Sequence, residues 1–314
     1  MEVNSENCYS ITKNDLKYKK MRNLDGTKIN TFDSKNTSEY NKELQNLYLN
    51  ENLDSFEYRI NECNKENNKI LDLKHLDLKI FPKLADDIIN NLEELYISNN
   101  DIEELPDLHN FKKLKVIDIS VNKLKKIGKL PNTLIEFCCF DNLLLDISPI
   151  KNCINLKTLY ICNNKISDLS FLESNKSLEI LLANDNQITD IPRNIPKLKK
   201  IQIKNNKLTK VKSYDNLIYL DCRNNNILEV EQQINLRDLI ISNNKELSDL
   251  PVMNKLKYLE IVNTKIERIR YMEKLEELIL LLDNLKYISK KYRVEDSYCH
   301  KNKYVNLFFI PKEN

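Results

Sequence analysis

Apolar and polar positions alternate along the chain in one motif that is clearest in the segment LYISNNDIEELP. Leu95, Ile97 and Ile102 occupy apolar positions there, and Asn100 lies between them. Apolar residues at every second position are typical of a short strand with one buried face. An asparagine is expected in a turn or at the surface instead. An amide among side chains that point inward therefore needs a structural reason.

The motif, written L-x-x-L-x-L-x-x-N-x-L-x-x-L, recurs at intervals of 19 to 24 residues. A degenerate copy begins at Asn68. Ten further copies begin at Leu92, Leu114, Leu134, Leu156, Leu178, Leu198, Leu217, Leu236, Leu256 and Leu275. Repetition at this period predicts a solenoid in which each copy packs against its neighbours.

The polar position of the motif is asparagine in eight of the ten copies, and Thr264 and Asp283 occupy the last two. A chain that turns after each strand has backbone N–H and C=O groups that need partners. An amide side chain supplies both donors and an acceptor, so a column of amides can bridge successive turns. The predicted structural ladder is Asn100, Asn122, Asn142, Asn164, Asn186, Asn206, Asn225 and Asn244.

These motifs resemble those of leucine-rich repeat proteins. The segments DISPIKNCINLKTL (146–159) and ISDLSFLESNKSL (166–178) resemble internalin-type repeats, and ITDIPRNIPKLKKI (188–201) is similar to the shorter repeats of bacterial secreted effectors. The resemblance implies an α/β solenoid, the leucine-rich repeat horseshoe, with a concave parallel β-sheet. Its short coils predict a convex side that is irregular or contains single 3₁₀ turns.

A solenoid needs capped ends. Apolar spacing predicts two helices, Ser38–Leu49 and Leu53–Lys65, in a helical N-terminal cap over residues 36–67. The segment LQNLYLNEN (44–52) also fits the motif, so a further repeat is the alternative. Residues 1–35 lack periodicity and are predicted to be flexible. The repeats are predicted over residues 68–290, and the aromatic-rich residues 291–314 as a C-terminal cap.

Composition narrows the functional classes. A net charge of +2 argues against a nucleic-acid or membrane field over the whole molecule. The first sixteen residues have no apolar core typical of a secretory signal, and no apolar run could cross a bilayer. Eight cysteines without a C-x-x-C pair predict reduced thiols and a cytoplasmic location, which is the host cytoplasm for a viral protein or a bacterial effector. The richness in lysine, asparagine and isoleucine indicates an AT-rich genome, such as that of a giant DNA virus, a protist or an insect-associated bacterium.

Candidate chemistry is sparse. His75, His109 and His300 fall at unrelated positions of the repeat, and the two glycines provide no phosphate-binding loop. We therefore predict a non-enzymatic protein without catalytic, cofactor or metal sites. The predicted function is a scaffold, monomeric, that binds a partner protein on the concave face.

Variable strand positions supply the candidate partner-binding residues. They are Tyr96, Cys138, Phe140, Tyr160, Ile180, Leu182, Lys200, Lys204, Tyr219 and Arg223. Cys138, Phe140, Tyr160, Ile180 and Leu182 are predicted to form an exposed apolar patch, which a monomer seldom carries without a function.

Residues 191–214 contain eight basic residues and no acidic one. This basic coil could hold an acidic protein segment or a phosphate backbone. Two alternatives to the scaffold therefore stay open: a nucleic-acid-associated protein that docks through this coil, and an accessory subunit that regulates an enzyme. Lysines without interleaved aromatic residues make sequence-specific reading of nucleic acid improbable.

Overall fold

The computed structural model describes residues 55–65, 67, 69–281, 286–290, 294–299 and 304–309. The chain divides into two units, residues 1–59 and 60–314. The described part of the first unit is the beginning of a helix that spans Phe56–Lys65. This helix lies where the sequence predicts the second cap helix. The predicted helix Ser38–Leu49, the alternative repeat at 44–52 and the segment 1–35 lie outside the described residues, and the cap itself stays a prediction.

One sheet of thirteen strands runs through the second unit, and its first eleven strands are parallel. They are Ile70–Asp72, Glu94–Tyr96, Val116–Asp118, Glu136–Cys138, Thr158–Tyr160, Ile180–Leu182, Lys200–Gln202, Tyr219–Asp221, Asp238–Ile240, Tyr258–Glu260 and Glu277–Leu281. Equivalent residues of successive repeats are paired, as Leu95 with Ile117 and Ile117 with Phe137. These middle residues are fully buried. The predicted solenoid of about eleven coils is confirmed.

The opposite side of each coil is extended or contains short helical turns. Two 3₁₀ helices, Ser148–Asn152 and Ser170–Ser174, lie in the two coils that resemble internalin repeats. Three small parallel sheets pair Glu104–Leu105 with Lys126–Ile127, Lys210–Val211 with Glu229–Val230, and Arg268–Ile269 with Tyr287–Ile288. An α-helix at Asp86–Asn91 is the departure from the prediction. It lies in a long coil, where Glu94 pairs with Ile70 located 24 residues earlier.

The last two strands, Val294–Cys299 and Tyr304–Phe309, form an antiparallel hairpin. The second of them pairs in antiparallel fashion with Glu277–Leu281, the last strand of the parallel series. The segment predicted as a C-terminal cap thus continues the sheet by backbone hydrogen bonds. Its capping role stays a prediction.

The thiols Cys138, Cys139, Cys153 and Cys222 are free and buried. Burial raises the pKa of the Cys153 thiol to about 12, and it also raises the pKa of Cys139. These thiols are therefore protonated core residues rather than nucleophiles. Cys162 is disulfide-bonded, so the expectation that every cysteine is reduced is wrong at that position.

Among the described residues, no helix has the length and apolar character that crossing a membrane requires.

Candidate functional site

The turns after the strands have the same geometry in successive coils, and this geometry orients the sheet face. The hydrogen bonds of Asn164 illustrate it. Its Nδ2 donates to the carbonyl oxygens of Cys139 in the preceding coil and of Ile161 and Cys162 in its own coil, at 3.0, 3.2 and 3.1 Å. Its Oδ1 accepts the backbone N–H of Leu144 at 3.0 Å. One buried amide therefore satisfies backbone groups of two coils.

The same contacts recur at the other asparagines of the predicted ladder. In each, Oδ1 accepts a backbone N–H of the preceding coil and Nδ2 donates to a carbonyl oxygen there. Thr264 contacts residues close to it in the sequence. Its hydroxyl donates to the Ile261 carbonyl and accepts the Ile266 N–H. Asp283 lies outside the described residues.

A second polar column precedes the ladder, and the sequence analysis missed it. The residue before each ladder position adopts a positive φ, between 52° and 60°. These residues are Asn99, Val121, Asp141, Asn163, Asp185, Asn205, Asn224, Asn243 and Asn263. Asparagine and aspartate tolerate this left-handed conformation better than other non-glycine residues, so they replace glycine in a chain that has only two glycines. The recurring Asn-Asn and Asp-Asn pairs were the available signal.

The strands bring the predicted apolar patch together, but its exposure was predicted wrongly. Cys138 pairs with Tyr160, and Tyr160 pairs with Leu182, so the three form one row across adjacent strands. Their exposed fractions are 2%, 9% and 1%, and Phe140 is 6% exposed. Side chains in such a row lie about 4.8 Å apart and shield part of one another's surface. Ile180 alone of the five is half-buried.

Tyr96 is buried too, at 9% exposure. Its hydroxyl donates to Glu94 at 2.6 Å. Burial raises the pKa of Tyr96, and the neighbouring Glu94 raises it further, so the phenol stays protonated. Lys74 lies over the ring, with its Nζ 4.5 Å from the ring centroid.

The accessible part of the sheet face lies further along the solenoid. Lys200, Lys204, Tyr219 and Arg223 are half-buried. The Lys200 ammonium lies 5.2 Å from the centroid of the Tyr219 ring, a cation–π distance. The Arg223 guanidinium donates to both carboxylate oxygens of Asp221, at 3.0 and 2.7 Å, which raises the pKa of Arg223. This paired guanidinium is held in place on the face.

Four further residues extend this accessible surface: Ile240, Tyr258, Glu260 and Ile279, all half-buried. Ile240, Glu260 and Ile279 are paired on adjacent strands, and Tyr258 pairs with Asp238. They occupy the same motif positions as the predicted residues, so the signal was present in the sequence. We call these four residues, together with Lys200, Lys204, Tyr219 and Arg223, the distal face.

Four of the eight basic residues of the coil 191–214 form ion pairs with acidic side chains. Arg193 forms two hydrogen bonds with the Glu231 carboxylate, at 2.7 and 2.8 Å, and Lys210 lies 3.0 Å from it. Lys199 pairs with Glu179 at 2.8 Å, and Lys212 pairs with Asp190 at 2.6 Å. The coil is therefore not the bare cationic surface that its sequence suggested.

No group of three or more histidine, cysteine, aspartate or glutamate side chains that could hold a metal ion occurs in the part of the chain that the structure describes.

A model of the family described as leucine rich repeats, in two copies, matches residues 90–132 and 133–174. These residues lie within the stacked parallel coils described above. Residues 90–174 are leucine-rich repeats of this family, and they lie in a longer solenoid of the same architecture. Leucine-rich repeat proteins generally mediate protein–protein interactions and are typically non-catalytic.

Two similar leucine-rich repeat proteins have curated descriptions. A homologue of protein phosphatase 1 regulatory inhibitor subunit from Arabidopsis thaliana is 34% identical over 105 residues, 32% of this chain and 32% of that protein. A putative leucine-rich repeat protein of Acanthamoeba polyphaga mimivirus is 30% identical over 153 residues, 48% of this chain and 34% of that protein. The chain thus spans about a third of the length of these relatives.

Among solved leucine-rich repeat structures, the effector protein YopM from Yersinia pestis is similar. It shares 25% identity, with a TM-score of 0.55 over 80% of this chain and 87% of YopM. The likeness to bacterial effectors expected from the repeats thus extends over most of the solenoid.

Proposed function

We propose that this leucine-rich repeat protein is a non-enzymatic scaffold that binds a partner protein on the face of its parallel sheet. The distal face is the observation that carries the proposal. It combines two tyrosines, a fixed arginine and two isoleucines on adjacent strands, and tyrosine and arginine are enriched among the residues that dominate binding energies.

The contacts within the distal face support binding rather than a purely structural role. Arg223 is held by Asp221, and Lys200 stacks on Tyr219. Side chains that are already ordered lose less conformational entropy when a partner arrives. The flanking Lys204 and Glu260 provide charges of both signs, which favours a partner with complementary charges.

Five of the predicted partner-binding residues are buried, and a partner would reach them less easily. The buried residues are Tyr96, Cys138, Phe140, Tyr160 and Leu182. Ile180 is half-buried and pairs with Lys200, so it borders the distal face. A partner would therefore contact chiefly Lys200, Lys204, Tyr219 and Arg223 among the predicted residues.

The proposal is tested by replacing Tyr219 and Tyr258 together with alanine in the full chain. The immobilised variant is compared with the wild type for capture of proteins from a lysate of the native cell, followed by mass spectrometry. We expect the variant to lose the specific partner while its melting temperature stays within a few degrees of the wild-type value, because both rings are only half-buried.

The matched control removes two exposed apolar side chains outside the sheet face, Leu145 and Leu228, which are 66% and 58% exposed. This Leu145→Ala, Leu228→Ala chain should capture the partner as the wild type does. If the control loses the partner and the tyrosine variant retains it, binding on the sheet face is refuted.

An accessory subunit that regulates an enzyme is the second candidate, favoured by the similarity to the phosphatase regulatory inhibitor subunit. It differs from a plain scaffold in one measurable respect: the captured partner would be an enzyme whose rate changes when the chain is added. The nucleic-acid alternative predicts that capture disappears after nuclease treatment, and the ion pairs of the basic coil weaken it.

An intracellular location is part of the proposal and rests on the free buried thiols Cys138, Cys139, Cys153 and Cys222. Cys162 is the exception. Thiol alkylation of the protein in intact native cells, followed by mass spectrometry, would measure the oxidation state of each cysteine.

A further inference from the structure

Lysines that are scattered in the sequence line one open cavity at the edge of the sheet where the strands begin. The cavity has a volume of about 440 Å³. Its lining includes Lys112, Lys113, Lys115 and Lys157 but a single carboxylate, Glu93. The lining therefore carries an excess of three positive charges, whereas the whole chain carries +2.

The stacking of the coils creates this cluster. Lys115, Ile135 and Lys157 each follow the first leucine of a repeat, so in-register strands place them in one row. Lys115 and Lys157 are separated by two strand spacings, about 10 Å. Ile135 between them is half-buried and carries no charge. The two ammonium groups thus flank an apolar floor with no acid between them.

A parallel row forms the other wall. Lys113, Thr133, Asn155 and Ser177 each precede the first leucine of a repeat, and all four line the cavity. This row adds hydroxyl and amide groups to the lysines. Thr133 donates its hydroxyl to the Leu114 carbonyl at 2.7 Å, which anchors that side of the wall.

The lysines differ in how far they are neutralised. Lys115 pairs with Glu93 at 2.6 Å, and Lys69 shares that carboxylate at 3.3 Å. Lys112 and Lys113 donate to neutral oxygens, the His109 carbonyl and the Asn91 amide, each at 2.8 Å. The Lys157 ammonium forms no ion pair with a carboxylate of the described residues, but Glu179 lies next to it in the same row on the following strand. The charge of Lys157 contributes to the lowered pKa of Glu179, whose carboxylate pairs with Lys199. Three of the four ammonium groups, those of Lys112, Lys113 and Lys157, therefore form no ion pair with a carboxylate of the described chain.

We propose that this cavity binds a small ligand with clustered phosphate groups. Lysine binds phosphate as a point charge, whereas planar carboxylates are matched best by the fork of arginine, and no arginine lines the cavity. Hydroxyl and amide groups add hydrogen bonds to phosphate oxygens. The volume lies within the usual range for small-molecule sites, roughly 300–1,000 Å³. The site does not depend on partner binding at the distal face.

The test uses the full chain and soluble inositol trisphosphate as the probe, with binding measured by calorimetry at low and at physiological salt. The variant Lys112→Gln, Lys113→Gln, Lys157→Gln removes the three lysines that form no ion pair with a carboxylate of the described chain. We expect saturable one-to-one binding by the wild type and an affinity weaker by about tenfold or more in the variant.

A second variant controls for net charge. Lys151, Lys165 and Lys245 are exposed lysines outside the cavity, and replacing all three with glutamine removes the same charge. This variant should retain the wild-type affinity within about twofold, because distant surface charges are screened. An equal loss in both variants, or no saturable binding by the wild type, would overturn the proposal.

Two further arms identify the chemistry. In the first, co-sedimentation of the protein is measured with phosphatidylcholine vesicles that contain or lack phosphatidylinositol bisphosphate. Lysine-dependent binding only to the vesicles with the phosphorylated lipid supports a lipid headgroup as the ligand. Binding of the soluble probe without binding to these vesicles supports a free phosphate compound. A hexaglutamate peptide is added as competitor. If it displaces the probe as well as unlabelled inositol trisphosphate does, the site recognises negative charge in general and the phosphate proposal is wrong.

Discussion

At the scale of single residues, two adjacent positions in each turn have different physical roles. Asn163 adopts a positive φ of 52° and lets the chain turn, whereas Asn164 hydrogen-bonds the backbone of two coils. The amide pairs thus combine a conformational and a hydrogen-bonding requirement. The asparagine-rich composition acquires a structural meaning at these positions.

Replacing Asn164 with alanine should destabilise the protein by about 1–3 kcal/mol, because the buried N–H of Leu144 and three carbonyl oxygens lose their partner. Urea unfolding of the variant and the wild type measures this difference. Asn152→Ala, at an exposed position, serves as the control and should change stability little. An unchanged midpoint for Asn164→Ala would mean that the amides do not hold the turns.

Among the residues that precede the ladder positions and adopt a positive φ, Val121 is the residue type least suited to this conformation. Its φ is 53°, a conformation that strains a β-branched residue and that eight other coils fill with asparagine or aspartate. Val121→Asn should therefore raise the free energy of unfolding by about 1 kcal/mol. Val252, a half-buried valine without a positive φ, is the matched control. A gain of equal size for Val252→Asn would show that strain at Val121 is not the cause.

At the scale of elements, ion pairs tie coils together on the side away from the sheet. Arg193 and Glu231 are 38 residues apart in sequence, and their hydrogen bonds span the intervening coil. Ser213 donates its backbone N–H to the same carboxylate at 3.0 Å. Together with Lys210, these donors lower the pKa of Glu231 from 4.5 to about 2.

A carboxyl group whose pKa is lower in the folded than in the unfolded protein stabilises the fold at pH values above its pKa in the unfolded protein. This contribution is lost as the pH falls towards the pKa in the folded protein. The contribution of Glu231 should be complete above about pH 5 and decline between 4.5 and 2. Glu231→Gln should cost about 1 kcal/mol at neutral pH, a modest value because Arg193 is largely exposed.

Urea midpoints of this variant and the wild type, measured from pH 7 down to the lowest pH at which both fold, should converge. Glu229→Gln is the control, since Glu229 pairs with Lys210 but is 60% exposed. A difference between Glu231→Gln and the wild type that persists unchanged at low pH would contradict the assigned role of the carboxylate.

At the scale of the whole molecule, the C-terminal hairpin decides how the parallel sheet ends. A chain that stops at residue 290 would leave the strand Glu277–Leu281 without its antiparallel partner. An unpaired strand edge is a template for association with other chains. We expect this truncation to self-associate, as measured by size-exclusion chromatography with light scattering.

A chain that stops at residue 310 is the matched control, because it retains both strands of the hairpin. It should behave as the full chain does. If the chain ending at residue 290 stays monomeric and melts at the same temperature as the full chain, the hairpin is not needed to end the sheet.

The sequence by itself determined the solenoid, the strand positions and the ladder of amides. The apolar positions repeat in every copy of the motif and the amide in eight of ten, so each copy supports the alignment of the others. The apolar residues Leu95, Ile97 and Ile102 are all buried. The hairpin that ends the sheet carries no such repeat, and only its aromatic content was noticed.

Exposure and charge pairing were decided only by the tertiary structure. The sequence does not show that Cys138, Tyr160 and Leu182, which form one row, are buried. In the sequence, the basic segment 191–214 contains no acidic residue. In the structure, the stacking of the coils brings Glu231 and Glu179 into contact with its basic residues. Conversely, Lys112 and Lys157 are far apart in the chain and meet at one cavity. The physical reason is that every coil packs against residues about twenty positions away, so neighbours in space are not neighbours in sequence.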